Sequence, residues 1–219
     1  MPQKFGLYED LTVQQNLNLY ANLRGLASNK RDETFKRLLH FTALEPFTKR
    51  LAGLLSGGMK QKLGLACAMI KDPTLLVLDE PSVGVDPLSR RELWKMVQGL
   101  LHEGITVIWS TAYLDEAEKC DEILLLNEGQ LLFEGTPNSM TQKEDGKVFL
   151  VSGIKENRRH LLEDALKQPE VIDGVIQGND VRLVVRDSKQ LPKIQAGMLQ
   201  PTAARFEDAY MSVLGGGPG

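Results

Sequence analysis

Ser56-Gly57-Gly58 stands where an apolar helical pattern begins. The serine can cap that helix, and the two glycines leave backbone N–H groups bare. Phosphate oxygens can then approach a helix N-terminus that carries about half a positive charge. Further on, Leu75-Leu76-Val77-Leu78-Asp79-Glu80-Pro81 is an apolar run closed by two adjacent carboxylates. A buried strand of this kind delivers Asp79 and Glu80 to the carboxyl edge of a parallel sheet, where α/β folds bind ligands. Yet no G-x-x-x-x-G-K-[ST] phosphate loop occurs in the chain. The nearest match, Gly53 to Met59, has methionine where the lysine is needed.

The elements that must carry these groups are legible. Thr12 suits the N-cap of a helix through Val13, Leu17, Tyr20 and Leu23, stopped near Gly25. Phe35, Leu38, Leu39 and Leu44 signal a second helix, and a third is expected from Ser56 to about Lys71, before Asp72-Pro73. Leu75 to Leu78 predicts a buried parallel strand, 88–103 a helix with Gly104 as its C′ residue, and Thr106 to Ser110 a second buried strand. That order implies a right-handed crossover. Glu122 to Leu126 and Gln130 to Glu134 flank Asn127-Glu128-Gly129, a hairpin. After Gly135-Thr136-Pro137 the texture changes. Strands are expected at 147–152, 171–177 and 181–186, with helices near 156–167 and 205–214, before a flexible glycine-rich end.

Composition narrows the class. With 219 residues, 42% hydrophobic and 25% charged, the chain can bury a proper core. A formal charge of −3 gives no basic footprint, so no nucleic-acid partner is expected. No apolar run approaches the roughly 20 residues of a membrane span, and the N-terminus lacks a signal-peptide core. Cys67 and Cys120 lie far apart without metal-ligand spacing, which suits packing residues in a reducing cytoplasm.

Leu55-Ser56-Gly57-Gly58-Met59-Lys60-Gln61 and Leu75 to Pro81, in this order, resemble the signature and Walker B motifs of ATP-binding cassette (ABC) ATPases. Met59 stands where many members have Gln. The resemblance implies that Asp79 holds Mg²⁺ and that Glu80 is the general base on the attacking water. It also implies that Ser56, Gly57 and Gly58 contact the γ-phosphate of ATP held by an opposite cassette. Pro81 to Pro87 resembles the D-loop, whose Asp86 would touch that partner, and Met1-Pro2-Gln3 resembles the Q-loop, with Gln3 near the metal and the water. Phe5 to Leu26 would face a permease's coupling helix. Ser110-Thr111-Ala112 departs from the family, because Ala112 occupies the switch-histidine position and His40, His102 and His160 lie elsewhere.

The fold class implied is α/β: a partial P-loop NTPase cassette with a helical subdomain and a mainly parallel sheet, plus a small C-terminal α+β domain. The expected divisions are a Q-loop and signature subdomain at 1–72, the Walker B, D-loop and switch part at 73–140, an accessory domain at 141–214 and a linker at 215–219. The accessory part resembles that of drug exporters, with Arg205 to Tyr210 as its closing helix. The resemblance implies an ATPase subunit of an exporter that binds ATP and Mg²⁺, pairs with a second cassette and drives a separate transmembrane permease at the cytoplasmic face. Two alternatives remain, a ribosome-associated ABC ATPase and a non-hydrolysing regulatory cassette. The missing phosphate loop is expected upstream of Met1. The chain alone is therefore expected to be inactive, with an exposed apolar sheet edge that favours oligomerisation or a rearranged core.

Overall fold

The computed structural model describes residues 1–2, 6–155, 157–194 and 197–215. The chain divides into two compact units, Met1–Ala112 and Tyr113–Gly219.

The first unit opens with α1 (Val13–Leu23), capped as expected: Thr12 Oγ1 accepts from Gln15 N while the Gln15 side chain accepts from Thr12 N. Fully buried Asn16 pins the preceding turn, donating to the Tyr8, Leu11 and Thr12 carbonyls and accepting from Tyr8 N. Helix α2 (Ser28–Thr42) ends before Leu44, because Ala43 takes the left-handed cap conformation at φ 55°. Leu44 N then donates to Leu39 O and Ala43 N to His40 O, so Leu44 folds back into the core as the residue after a Schellman cap. Helix α3 (Gly57–Ala68) ends three residues short of the expected Lys71, since the chain tightens through Asp72 at φ 42°.

Strand β1 (Leu75–Asp79), helix α4 (Pro87–His102) and strand β2 (Thr106–Ser110) follow, with β1 and β2 parallel and in register from Leu75–Thr106 to Asp79–Ser110. Full burial of β1 is not what the structure shows. Leu76 and Leu78 enter the core, whereas Leu75 and Val77 are each 49% exposed and Ile108 of β2 is 53% exposed. Successive side chains point to opposite faces, and only one face of this pair is covered. One hydrophobic core joins α1, α2, α3, β1 and α4 through Leu17, Leu38, Leu63, Leu78 and Leu93. Trp94 and Trp109 join α4 to β2 edge to face, ring centroids 5.1 Å apart.

The second unit holds a short helix α5 (Leu114–Ala117) and the antiparallel hairpin β3 (Ile123–Asn127) and β4 (Gln130–Gly135). Its turn has positive φ at both Glu128 and Gly129, as a tight hairpin requires. Helix α6 (Pro137–Gln142), which the sequence did not announce, is capped by Thr136. Strands β5 (Val148–Ser152), β6 (Val171–Gln177), β7 (Asp180–Val185) and β8 (Met198–Pro201) form one antiparallel sheet in the order β6-β7-β5-β8. With α7 (Arg158–Leu166) between β5 and β6, this is a split β-α-β arrangement. Helix α8 (Phe206–Gly215) packs on α6 and β6.

Candidate functional site

The chemistry-bearing residues of the first unit sit at two places that local structure prepares. At the start of α3, Ser56 is the N-cap and its Oγ accepts from Met59 N at 3.2 Å. Ser56 is exposed, Gly57 half-buried and Gly58 buried. The glycines also serve packing. A Cβ on Gly57 would lie 2.9 Å from the Gly84 carbonyl oxygen, and one on Gly58 would lie 2.4 Å from Ser89 Cβ and Oγ. The α3 N-terminus is thus pressed against the loop 81–86 and the first turn of α4.

Asp86 is the N-cap of α4, accepting from Leu88 N at 3.1 Å and Ser89 N at 3.0 Å. Hydrogen bonds from the Ser89 hydroxyl and then the Ser89 amide hold its carboxyl below the usual range. Loop 81–86 and α3 also carry unpaired polar groups: Ser82 Oγ and both amide atoms of fully buried Gln61 have no hydrogen-bond partner.

The second place is the carboxyl edge of the sheet. Asp79 closes β1 and is exposed, and Glu80 follows half-buried at φ 43°. Ser110, last residue of β2, lies between them. Its Oγ donates to Asp79 Oδ1 at 2.8 Å and accepts from Glu80 N at 2.9 Å, while its carbonyl accepts from the same Glu80 N at 3.1 Å. The signal that finds Ser110 is registry, because in a parallel pair the residue opposite the terminal carboxylate touches it. On the other side of β1, Met1 N donates to Val77 O at 2.5 Å and Met1 O accepts from Asp79 N at 2.9 Å. Gln3 lies outside the described residues.

Among the described residues no group of three or more His, Cys, Asp or Glu could hold a metal by itself. Ala112 is exposed. His40 pairs with Glu45 at 3.0 Å and His160 with Asp164 at 3.1 Å, far along the chain from the carboxylate edge. Burial pushes the Cys67 thiol up to about 12, as suits an unreactive packing residue.

Comparison with known proteins decides the family. The model described as "ABC transporter" matches residues 1–83. Nod factor export ATP-binding protein I of Rhizobium sp. (strain N33) is 40% identical over 98% of this chain and 71% of its own length. This chain belongs to the ATP-binding proteins of the ABC transporter family. A second ABC relative, the probable multidrug ABC transporter ATP-binding protein YbhF of Escherichia coli (strain K12), is 56% identical over 99% of the chain. The chain spans 38% of that relative's length. Among solved ABC structures, one described as an ATP-binding subunit of an ABC transporter superposes with a TM-score of 0.56 at 31% identity, covering 65% of this chain and 60% of the other. The α/β cassette class read from the sequence is therefore the right one.

The packing of Gly58 yields a test that needs no nucleotide. Gly58→Ala is expected to destabilise the first unit by about 1–3 kcal/mol, because the new methyl group overlaps Ser89 within a close-packed junction. Adding Ser89→Gly should recover at least half of that loss in urea denaturation. Equal stability of Gly58→Ala and the wild type would contradict the contact.

Proposed function

We propose that this chain supplies one half of a composite ATP site in an exporter, with Ser56, Gly57 and Gly58 facing the γ-phosphate of nucleotide held by a second cassette. The observation that carries the reading is the close approach of Gly57 to the Gly84 carbonyl. It joins the capped, positively polarised end of α3 and the loop following Glu80 into one surface. In this reading Asp79 is the metal-binding carboxylate, Glu80 the general base, and Gln3 a further group near the metal and the water. Asp86 shapes the loop that meets the partner while capping α4.

The residues fit magnesium. Asp79 is exposed at the sheet edge, its Oδ1 accepts a hydrogen bond from the Ser110 hydroxyl, and its Oδ2 takes no hydrogen bond from the described residues. Magnesium bound there supplies charge neutralisation for the β- and γ-phosphates. The chain's own tasks are to present the α3 N–H groups to phosphate oxygens, to hold Asp79 in place and to set Glu80 beside the attacking water. With no phosphate-loop lysine in the sequence, the chain is inactive alone.

The exporter role draws on the names of the two curated relatives, one for multidrug transport and one for Nod factor export. It implies a transmembrane permease as partner and a place at the cytoplasmic membrane face. No helix among the described residues is long and apolar enough to cross a membrane. Ala112 favours a second reading, a degenerate cassette that binds ATP in the sandwich and hydrolyses it slowly. Titration of a fluorescent ATP analogue with Mg²⁺, with and without a phosphate-loop-bearing cassette, tests the half-site reading. The chain alone is expected to bind none, and the mixture to bind beyond what the second cassette shows by itself.

A further inference from the structure

We propose that Ser110 is a positioning residue for both carboxylates of this site. The proposal rests on the reading of Asp79 and Glu80 as ATP-site residues. A serine hydroxyl has one proton to donate, and an ionised carboxylate can only accept. The 2.8 Å contact therefore commits the proton to Asp79 Oδ1, and the 2.9 Å contact commits an oxygen lone pair to the Glu80 N–H. Both bonds have a fixed sense, so one hydroxyl locks the side chain of Asp79 and the main chain of Glu80 together.

Glu80 needs such a lock. At φ 43° it occupies the left-handed region, which a residue with an unbranched side chain adopts at a cost in free energy. Its N–H is shared between the Ser110 hydroxyl and carbonyl, at 2.9 Å and 3.1 Å, which holds the turn closed. The arrangement follows from registry. Asp79 and Ser110 are the last paired residues of the parallel ladder, on the same exposed face as Val77 and Ile108. Valine or alanine at 110 would preserve the strand and lose both hydroxyl bonds. Threonine would preserve both.

The test uses Ser110→Ala and Ser110→Thr in the full chain, with two readouts. The first is amide hydrogen exchange at Glu80, followed by NMR without nucleotide. Exchange is expected to be about tenfold faster in Ser110→Ala and within about threefold of wild type in Ser110→Thr. The second is ATP turnover in a protein that joins a phosphate loop to this chain, so that Asp79 and Glu80 act on its nucleotide. Ser110→Ala is expected to raise the half-saturating Mg²⁺ concentration about tenfold while KM for ATP stays within about twofold, and Ser110→Thr to restore the Mg²⁺ dependence. An unchanged Glu80 exchange rate in Ser110→Ala overturns the proposal. So does threonine failing to rescue it, or a loss of turnover with no shift in Mg²⁺ dependence. If the wild-type form of that joined protein turns over no ATP, the functional reading fails, and the exchange measurement alone decides the role of Ser110.

Discussion

Replacing Ala112 with histidine is expected to raise ATP turnover at the site containing Glu80 by about 10²-fold, measured in single turnover in a protein that joins a phosphate loop to this chain. Residue 112 follows Ser110 by two positions, and Ser110 closes the ladder opposite Asp79, so the chain leaves the sheet at the carboxylate edge just before Ala112. An imidazole N–H there would donate to an oxygen on which charge develops in the transition state. Alanine has nothing to donate. Losing one such donor costs about 10²–10³ in rate elsewhere, which sets the size of the expected gain. The three native histidines give no substitute, since His40 is engaged with Glu45 just beyond α2, His160 with Asp164 one turn along α7, and His102 ends α4. Nucleotide affinity is expected to change little, because the donor acts on charge that appears only during reaction. Unchanged turnover in Ala112→His would show that the slow step lies elsewhere.

Asp208→Ala is expected to cost the second unit about 3–5 kcal/mol, read from chemical denaturation. Arg182 on β7 and Asp208 on α8 are both buried, at 3% and 6% exposure. The guanidinium meets the carboxylate through Nε to Oδ1 at 2.8 Å and Nη2 to Oδ2 at 2.5 Å, and Nη2 also donates to the Ala203 carbonyl. Asp208 Oδ2 accepts in addition from Arg205 N at 2.7 Å, fixing the start of α8. Removing the carboxylate leaves a buried cation with one carbonyl partner and unties that start. Replacing both members, as Arg182→Met with Asp208→Leu, is expected to be far milder, since no buried charge remains. A loss below about 1 kcal/mol in Asp208→Ala would mean that water reaches the guanidinium.

The sequence showed most clearly what local chemistry decides. The Thr12 and Ser56 positions cap their helices because a side-chain oxygen there can reach an orphan N–H three residues on. The Asn127 to Gln130 turn was equally legible, because Gly129 supplies the positive φ. What escaped depends on neighbours distant in sequence. Ala43 ends α2 without a glycine because Leu44 gains burial by folding back. Strand β8, four residues ending in Pro201, exists through its pairing with β5 and has no periodicity of its own. Within the proposed site, Asp79, Glu80, Ser56, Gly57 and Gly58 were singled out by their motifs and the family resemblance. The contacts of Ser110 and Ser89 were not legible, since they follow from strand registry and from the approach of α4 to α3.

The central claim is that this chain is a nucleotide half-site, and equilibrium titration with a fluorescent ATP analogue and Mg²⁺ tests it most directly. The chain alone should show no saturable binding at micromolar nucleotide. Adding a phosphate-loop-bearing cassette should produce saturable binding beyond what that cassette shows by itself, and Ser56→Asp should remove the added component, because aspartate still caps α3 but sets a carboxylate at its exposed N-terminus. Micromolar binding by the chain alone would contradict the account, because it would require a phosphate cradle other than the α3 N-terminus and a lysine that this sequence does not place in a phosphate loop.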